Sequence, residues 1–176
     1  MADVVSPETR SRMMSGIRAE NTVPEMSVRR GLHARGFRFR LHCSGLPGKP
    51  DLVFPKYRAV IFVHGCFWHA HECPLFKWPK TREDFWKGKI SSNRTRDLAV
   101  MDELARQDWR ILVVWECALK GKGRRPIDEI VDSCAEWLLS SSTKCEIRGQ
   151  HAIINTAIDH EKQGLPDDLR EGTRPK

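Results

Sequence analysis

The sequence predicts an α/β fold in which a central mixed β-sheet is flanked by helices. Three observations lead there. Segments with a helical apolar period recur near the start, in the middle and toward the end of the chain, and four short apolar runs lie between them. Their order, helix, helix, three strands, helix, strand, helix, suits a sheet covered by helices on its faces. Finally, 176 residues with 40% hydrophobic side chains suffice for one real core and are too few for two ordinary domains.

Ser6-Pro7-Glu8 reads as an N-cap, a proline at the first helical position and an acidic first turn, opening a basic helical arm that carries Met14 and Ile17. Thr22 and Glu25 form a capping-box pattern, and Met26, Val28, Leu32 and Ala34 give the helix near 23–35 an apolar face before Gly36 ends it. Phe37, Phe39 and Leu41 alternate with Arg38, Arg40 and His42 as in a half-buried strand. Gly45, Pro47, Gly48 and Pro50 mark a turn, after which 51–54 and 58–63 read as buried strands. From about Thr81 to Gln107 the pattern is helical, with Leu98, Met101, Leu104 and Ala105 on its later apolar face. The run Ile111 to Trp115 is a buried strand, and Ile127, Ile130, Val131, Cys134, Trp137 and Leu138 recur at helical spacing. Three regions are therefore expected: an arm over 1–20, a domain over 21–149 and a polar, loose tail over 150–176.

Thirty Lys and Arg against 23 Asp and Glu leave a net charge of +7, which favours a polyanionic partner. No apolar stretch approaches the roughly 20 residues of a membrane span, and the start lacks the pattern of a signal peptide, so a soluble, intracellular protein without a membrane partner is expected. Six cysteines could form three disulfides, but a chain of this size needs no such staples and the cysteines are unevenly placed.

Of the six cysteines and seven histidines, His64, Cys66, His69, His71 and Cys73 fall within ten residues, where chance would put fewer than one. Structural Zn²⁺ takes four thiolate and imidazole ligands in a tetrahedron, and Cys66, His71 and Cys73 supply three from one short loop. Cys117 is the expected fourth, because it follows the strand ending at Trp115 and could approach the loop that leaves Val63 on a neighbouring strand. Cys43 and Cys145 are weaker candidates, and Cys134 belongs to the apolar face of its helix.

Phosphodiester hydrolysis needs an activated water and a Lewis acid at the phosphate, for which carboxylates and carbonyls suit Mg²⁺ and imidazole suits proton transfer. Pro50-Asp51 opening one strand, with the next ending at Val63-His64, follows the Pro-Asp part of the restriction-type nuclease plan but lacks its Glu-x-Lys. In its place stand Val63, His64, Gly65, Cys66, Phe67, Trp68 and His69; with Cys73, the turn at 47–51 and Trp115-Glu116-Cys117-Ala118-Leu119, these resemble the very-short-patch repair (Vsr) DNA mismatch endonuclease family over about four-fifths of the chain.

That resemblance implies a restriction-endonuclease-like sheet with a structural zinc site, and nicking of one strand 5′ to the mismatched T of a T·G pair left by deamination of 5-methylcytosine. It implies that Asp51 and the Val63 carbonyl hold Mg²⁺, that Glu25 meets the metal's water shell, and that His69 activates the attacking water with His64 nearby. Phe67, Trp68 and Trp86 become wedge residues, Met14 and Ile17 enter from the arm, and Lys89 and Asn93 contact the mismatched pair. The partner is double-stranded DNA carrying the mismatch, with host mismatch-repair proteins as further partners; a monomer in the bacterial cytoplasm, associated with the nucleoid, would serve. Two rivals stand beside this reading: a restriction-type or strand-nicking enzyme acting on matched duplex, and a zinc-stapled DNA-binding module without catalysis.

Overall fold

A computed structural model describes Ser6, Thr9 and residues 20–150. The expected arm residues Met14 and Ile17, and the tail beyond Gln150, lie outside the described residues. At the start, the Thr9 amide donates to the Ser6 hydroxyl at 3.2 Å, the contact an N-cap makes.

Helix α1 (Val23–Ala34) begins where the sequence places it. The Glu25 amide donates to Thr22 Oγ1 at 3.4 Å and the Thr22 amide to Glu25 Oε2 at 3.3 Å, a reciprocal box satisfying two donors that a helix start leaves orphaned. The strands are β1 (Arg40–Leu41), β2 (Leu52–Phe54), β3 (Ala59–His64), β4 (Arg110–Trp115) and β5 (Lys144–Ile147). They form one sheet in sequence order, with β1, β2 and β3 antiparallel to their neighbours and β3, β4 and β5 parallel. Between them lie a 3-10 turn (Pro55–Tyr57), α2 (Glu83–Arg106), the single turn α3 (Glu116–Leu119) and α4 (Ile127–Leu139).

The pleat divides the core. Leu52, Phe54, Ala59, Ile61, Leu112 and Val114 face α1 and α4, whereas Val53, Val60, Phe62, Ile111 and Val113 face the side on which Leu104 of α2 packs. Helices α1 and α4 approach closely because Gly31 carries no side chain: a Cβ there would sit 2.4 Å from Val131. Arg35 then ties the pair at the surface through Asp128 and Asp132, at 3.2 and 2.7 Å. Among the described residues no helix is long and apolar enough to cross a membrane.

Three expectations need correction. The strand read over 37–42 shrinks to two residues, and Leu41 is exposed; Phe37 and Phe39 owe their burial to packing on Phe54 rather than to pairing. On α2 the buried line runs through Ile90, Asn93 and Leu104, while Leu98 and Ala105 face solvent, so the apolar stripe expected there is displaced. Its true line is interrupted by polar residues that hold the site. Strand β5 was not expected at all: Lys144, Cys145 and Glu146 carry no apolar alternation, and only pairing with β4 makes them a strand.

Candidate active site

The parallel pairing of β3 and β4 sets His64 opposite Trp115. Two residues beyond each strand end stand Cys66 and Cys117, so the register brings the two thiols together. The loop after Cys66 then folds back, with the His71 amide donating to the Cys66 carbonyl at 3.0 Å and the Cys73 amide to the His71 carbonyl at 2.8 Å. Cys66, His71, Cys73 and Cys117 thereby place one ligand atom each within 4.8 Å of the others.

The donor set fits a tetrahedral zinc ion. His71 Nδ1 stands 3.5 Å from both Cys66 Sγ and Cys117 Sγ, and bond lengths of about 2.0 and 2.3 Å at a tetrahedral angle require a ligand separation of about 3.5 Å. Backbone amides point at the sulfurs: that of Cys117 donates to Cys66 Sγ at 3.3 Å and that of Gly149 to Cys117 Sγ at 3.4 Å. The adjacent Cys117 sulfur and burial push the Cys66 thiol far up, so two facing thiolates need a cation between them. Trp115 stacks on the His71 ring at 4.0 Å and fixes its plane.

A second cluster lies beside this one. His64 and His69 stack face to face, ring centroids 3.9 Å apart, and His69 Nδ1 is held by a short hydrogen bond to Asp97 Oδ2. Burial, reinforced by the positive charge His69 can carry, pushes His64 down to about 3, so it is neutral at physiological pH. The third cluster is Glu25, His42 and Asp51. Asp51 ends the turn before β2, and its Oδ2 accepts the Val63 amide at 2.7 Å across the antiparallel pair. Burial raises Asp51 to about 6, with nearby Glu25 adding to the effect, against the pull of the Val63 amide. Glu25 is 2% exposed and also accepts Arg29 at 3.1 Å.

Phe67, Trp68 and Trp86 form one half-buried aromatic block, with Phe67 ring centroids 5.2 Å from Trp68 and 5.3 Å from Trp86. Trp86 is thus neither core nor free. Asn93 is buried and donates to the Trp68 carbonyl at 3.0 Å, while Lys89, one turn earlier, is exposed. Sequence reasoning missed Asp97 and His42. Asp97 follows Asn93 by one helical turn, and a polar pair interrupting the line from Ile90 to Leu104 was the available signal. For His42 the alternation suggested only a solvent-facing strand residue.

Buried acid, stacked imidazoles and a cysteine-histidine cluster at the carboxyl ends of the interior strands β3 and β4 of a five-stranded mixed sheet are consistent with the restriction-endonuclease-like class of DNA-cleaving hydrolases. Residues 2–75 match the family model described as DNA mismatch endonuclease Vsr. The DNA mismatch endonuclease Vsr of Escherichia coli is 41% identical over 150 residues, covering 85% of this chain and 96% of the relative. The type II nicking enzyme V.XorIIP of Xanthomonas oryzae is 51% identical over 123 residues, 70% of this chain and 90% of the relative. V.NmeAIP of Neisseria meningitidis, also a type II nicking enzyme, is 43% identical over 122 residues, 69% and 87% of the two chains. The chain belongs to the Vsr DNA mismatch endonuclease family.

Proposed function

We propose that this protein is a Mg²⁺-dependent DNA endonuclease that nicks one strand 5′ to the mismatched T of a T·G pair and so starts very-short-patch repair. The observation that carries the reading is the convergence of Asp51, Val63, His64 and His69 at the carboxyl end of β3, next to the loop that bears Phe67 and Trp68. Asp51, with the Val63 carbonyl, would hold Mg²⁺, and Glu25 would reach its water shell. When bound, the ion supplies charge neutralisation at the scissile phosphate and acidifies water.

His69 is the general base. Its Nδ1 is engaged by Asp97, which leaves Nε2 to take the proton of the attacking water, and Asp97 steadies the imidazolium that results. His64, neutral beneath it, adds no like charge to that cation. Cys66, His71, Cys73 and Cys117 hold structural Zn²⁺, which keeps the loop between His64 and Cys73 in one conformation. Phe67, Trp68 and Trp86 act as the wedge, since a wobble pair stacks weakly and unstacking there costs less than at a normal pair. Lys89 and Asn93 contact the pair; Asn93 would also steady Trp68 through its carbonyl. Met14 and Ile17 of the arm over 1–20 enter the opposite groove, leaving 21–149 as the catalytic domain and 150–176 as a tail. A cytoplasmic, nucleoid-associated monomer goes with this role, with host mismatch-repair proteins as further partners.

The test is a nicking assay on otherwise identical T·G and C·G duplexes across a Mg²⁺ titration. Magnesium-dependent cleavage of the T strand alone is expected. Equal cleavage of both duplexes would favour a strand-nicking enzyme of matched DNA, and binding without cleavage would favour a non-catalytic module.

A further inference from the structure

His42 occupies a place that the proposed mechanism does not use. It follows β1 in a left-handed conformation, φ 45°, that few non-glycine residues adopt, and this turns its ring inward between Glu25 and Asp51. The side chain is 18% exposed, with Nε2 3.4 Å from Glu25 Oε1 and Nδ1 4.0 Å from Asp51 Oδ1. Despite that proximity Nε2 is buried without a hydrogen bond, because the contact with Glu25 lacks hydrogen-bonding geometry. A buried nitrogen left without a partner is costly and calls for an explanation.

The neighbouring oxygens narrow it. Asp51 Oδ2 is taken by the Val63 amide, whereas Oδ1 faces His42. Both oxygens of Glu25 are engaged, Oε2 by the Thr22 amide and Oε1 by Arg29. A cation entering this cluster therefore meets Asp51 Oδ1 and the imidazole as its least committed donors, with Glu25 behind them; one ligand atom from each of the three lies within 4.8 Å of the others. We infer that His42 is a nitrogen donor to the catalytic cation beside Asp51, through Nδ1, the nitrogen that faces Asp51 Oδ1, which leaves Nε2 to carry the ring proton on the side of Glu25.

The inference rests on the metal reading of Asp51 given above, and its consequence is metal choice. Mg²⁺ binds through oxygen and retains its waters, while first-row transition-metal ions accept imidazole as well; Mn²⁺, the weakest of them and the nearest to Mg²⁺ in its taste for oxygen, still gains more from a nitrogen ligand than Mg²⁺ does. A site with a histidine arm takes Mn²⁺ with an advantage that a purely oxygen site lacks. Because most sites bind Mn²⁺ somewhat better than Mg²⁺, the diagnostic quantity is how far the ratio of the two affinities changes when the imidazole is removed.

The experiment measures Mn²⁺ binding to the zinc-loaded, full-length protein by the loss of the free Mn²⁺ electron paramagnetic resonance signal. Mg²⁺ affinity comes from competition in the same samples, for the unaltered protein, His42→Gln and Asp51→Asn. The expected result is that His42→Gln weakens Mn²⁺ binding by about tenfold or more and Mg²⁺ binding by less than threefold, while Asp51→Asn loses both. Circular dichroism and zinc content check the fold; should His42→Gln fail to fold, His42→Asn, which tolerates the left-handed conformation, replaces it. An unchanged affinity ratio in the His42 variant, with binding lost in Asp51→Asn, overturns the assignment of His42 alone. Asp51→Asn that binds Mn²⁺ as tightly as the unaltered protein overturns the metal reading of Asp51 and the inference with it.

Discussion

Replacing Asp51 with Asn separates the proposed part of this carboxylate in catalysis from what it costs the fold. Burial moves Asp51 from its ordinary 3.8 to about 6. Below pH 3.8 folded and unfolded chains both hold the proton and the residue costs nothing. Between 3.8 and about 6 the unfolded chain releases it first, so stability falls as pH rises; above 6 the full penalty is present. Roughly two pH units at about 1.4 kcal/mol each give about 3 kcal/mol, and burial of the amide in the variant reduces the net gain to about 2 kcal/mol. For a domain of this size that corresponds to a melting temperature about 4 to 8 °C higher. The assay is thermal unfolding by circular dichroism in magnesium-free buffer at pH 7.5 and at pH 5.5, with zinc content measured at both. Asp51→Asn should melt higher at pH 7.5, keep about half of that advantage at pH 5.5, where the folded carboxyl is largely protonated, and show no nicking. Added Mg²⁺ should raise the melting temperature of the unaltered protein only. A variant no more stable at pH 7.5, or equally stabilised at both pH values, would refute the reasoning.

Removing zinc with a chelator, or substituting Cys117→Ser, should unfold the domain near 37 °C. Structural zinc contributes about 10 kcal/mol or more in small zinc modules, comparable with the whole stability of a domain; metal analysis with a melting curve checks it, and a zinc-free protein of unchanged melting temperature would count against the site. Asp97→Asn should lower nicking by about 100-fold and shift the pH-rate profile without loss of DNA affinity, because His69 loses the anion that orients it. Trp68→Ala should reduce the preference for T·G over C·G duplex more than general affinity in competition binding; equal losses on both would argue against a wedge. Gly31→Ala should cost about 1 to 3 kcal/mol in denaturant unfolding by pushing on Val131, with nicking per folded molecule unchanged.

Much of the fold was legible because its elements follow local rules. The Thr22 to Glu25 box, the proline and glycine turn before Asp51 and the buried runs of β2, β3 and β4 each state their own structure. Strand β5 was not legible, since its residues become a strand only through pairing with β4. The zinc-type cluster could be read from spacing plus one inference about strand ends, which the register of His64 against Trp115 now explains. Asp97 and His42 were beyond that reach. Asp97 meets His69 across 28 residues of sequence, and His42 turns inward through a backbone conformation that strand alternation does not anticipate.

Why the cysteine-histidine staple stands where it does follows from the direction of the strands. Parallel neighbours β3 and β4 finish at the same end of the sheet, and the antiparallel β2 begins there, so Asp51, His64 and the thiols of Cys66 and Cys117 are delivered to one place by the sheet alone. The loop after His64 contains no regular structure and little buried apolar surface of its own. Left to itself it would not hold His69 against His64 or Trp68 against Phe67. Three constraints from outside the loop do so: the metal-type cluster from the α3 side, Asn93 on the Trp68 carbonyl and Asp97 on His69, the last two from α2. Asn93 and Asp97, which break the apolar face of α2, therefore each restrain one residue of the loop, Asp97 the proposed base His69 and Asn93 the proposed wedge Trp68. On that reading, loosening the two restraints should alter chemistry and mismatch reading separately.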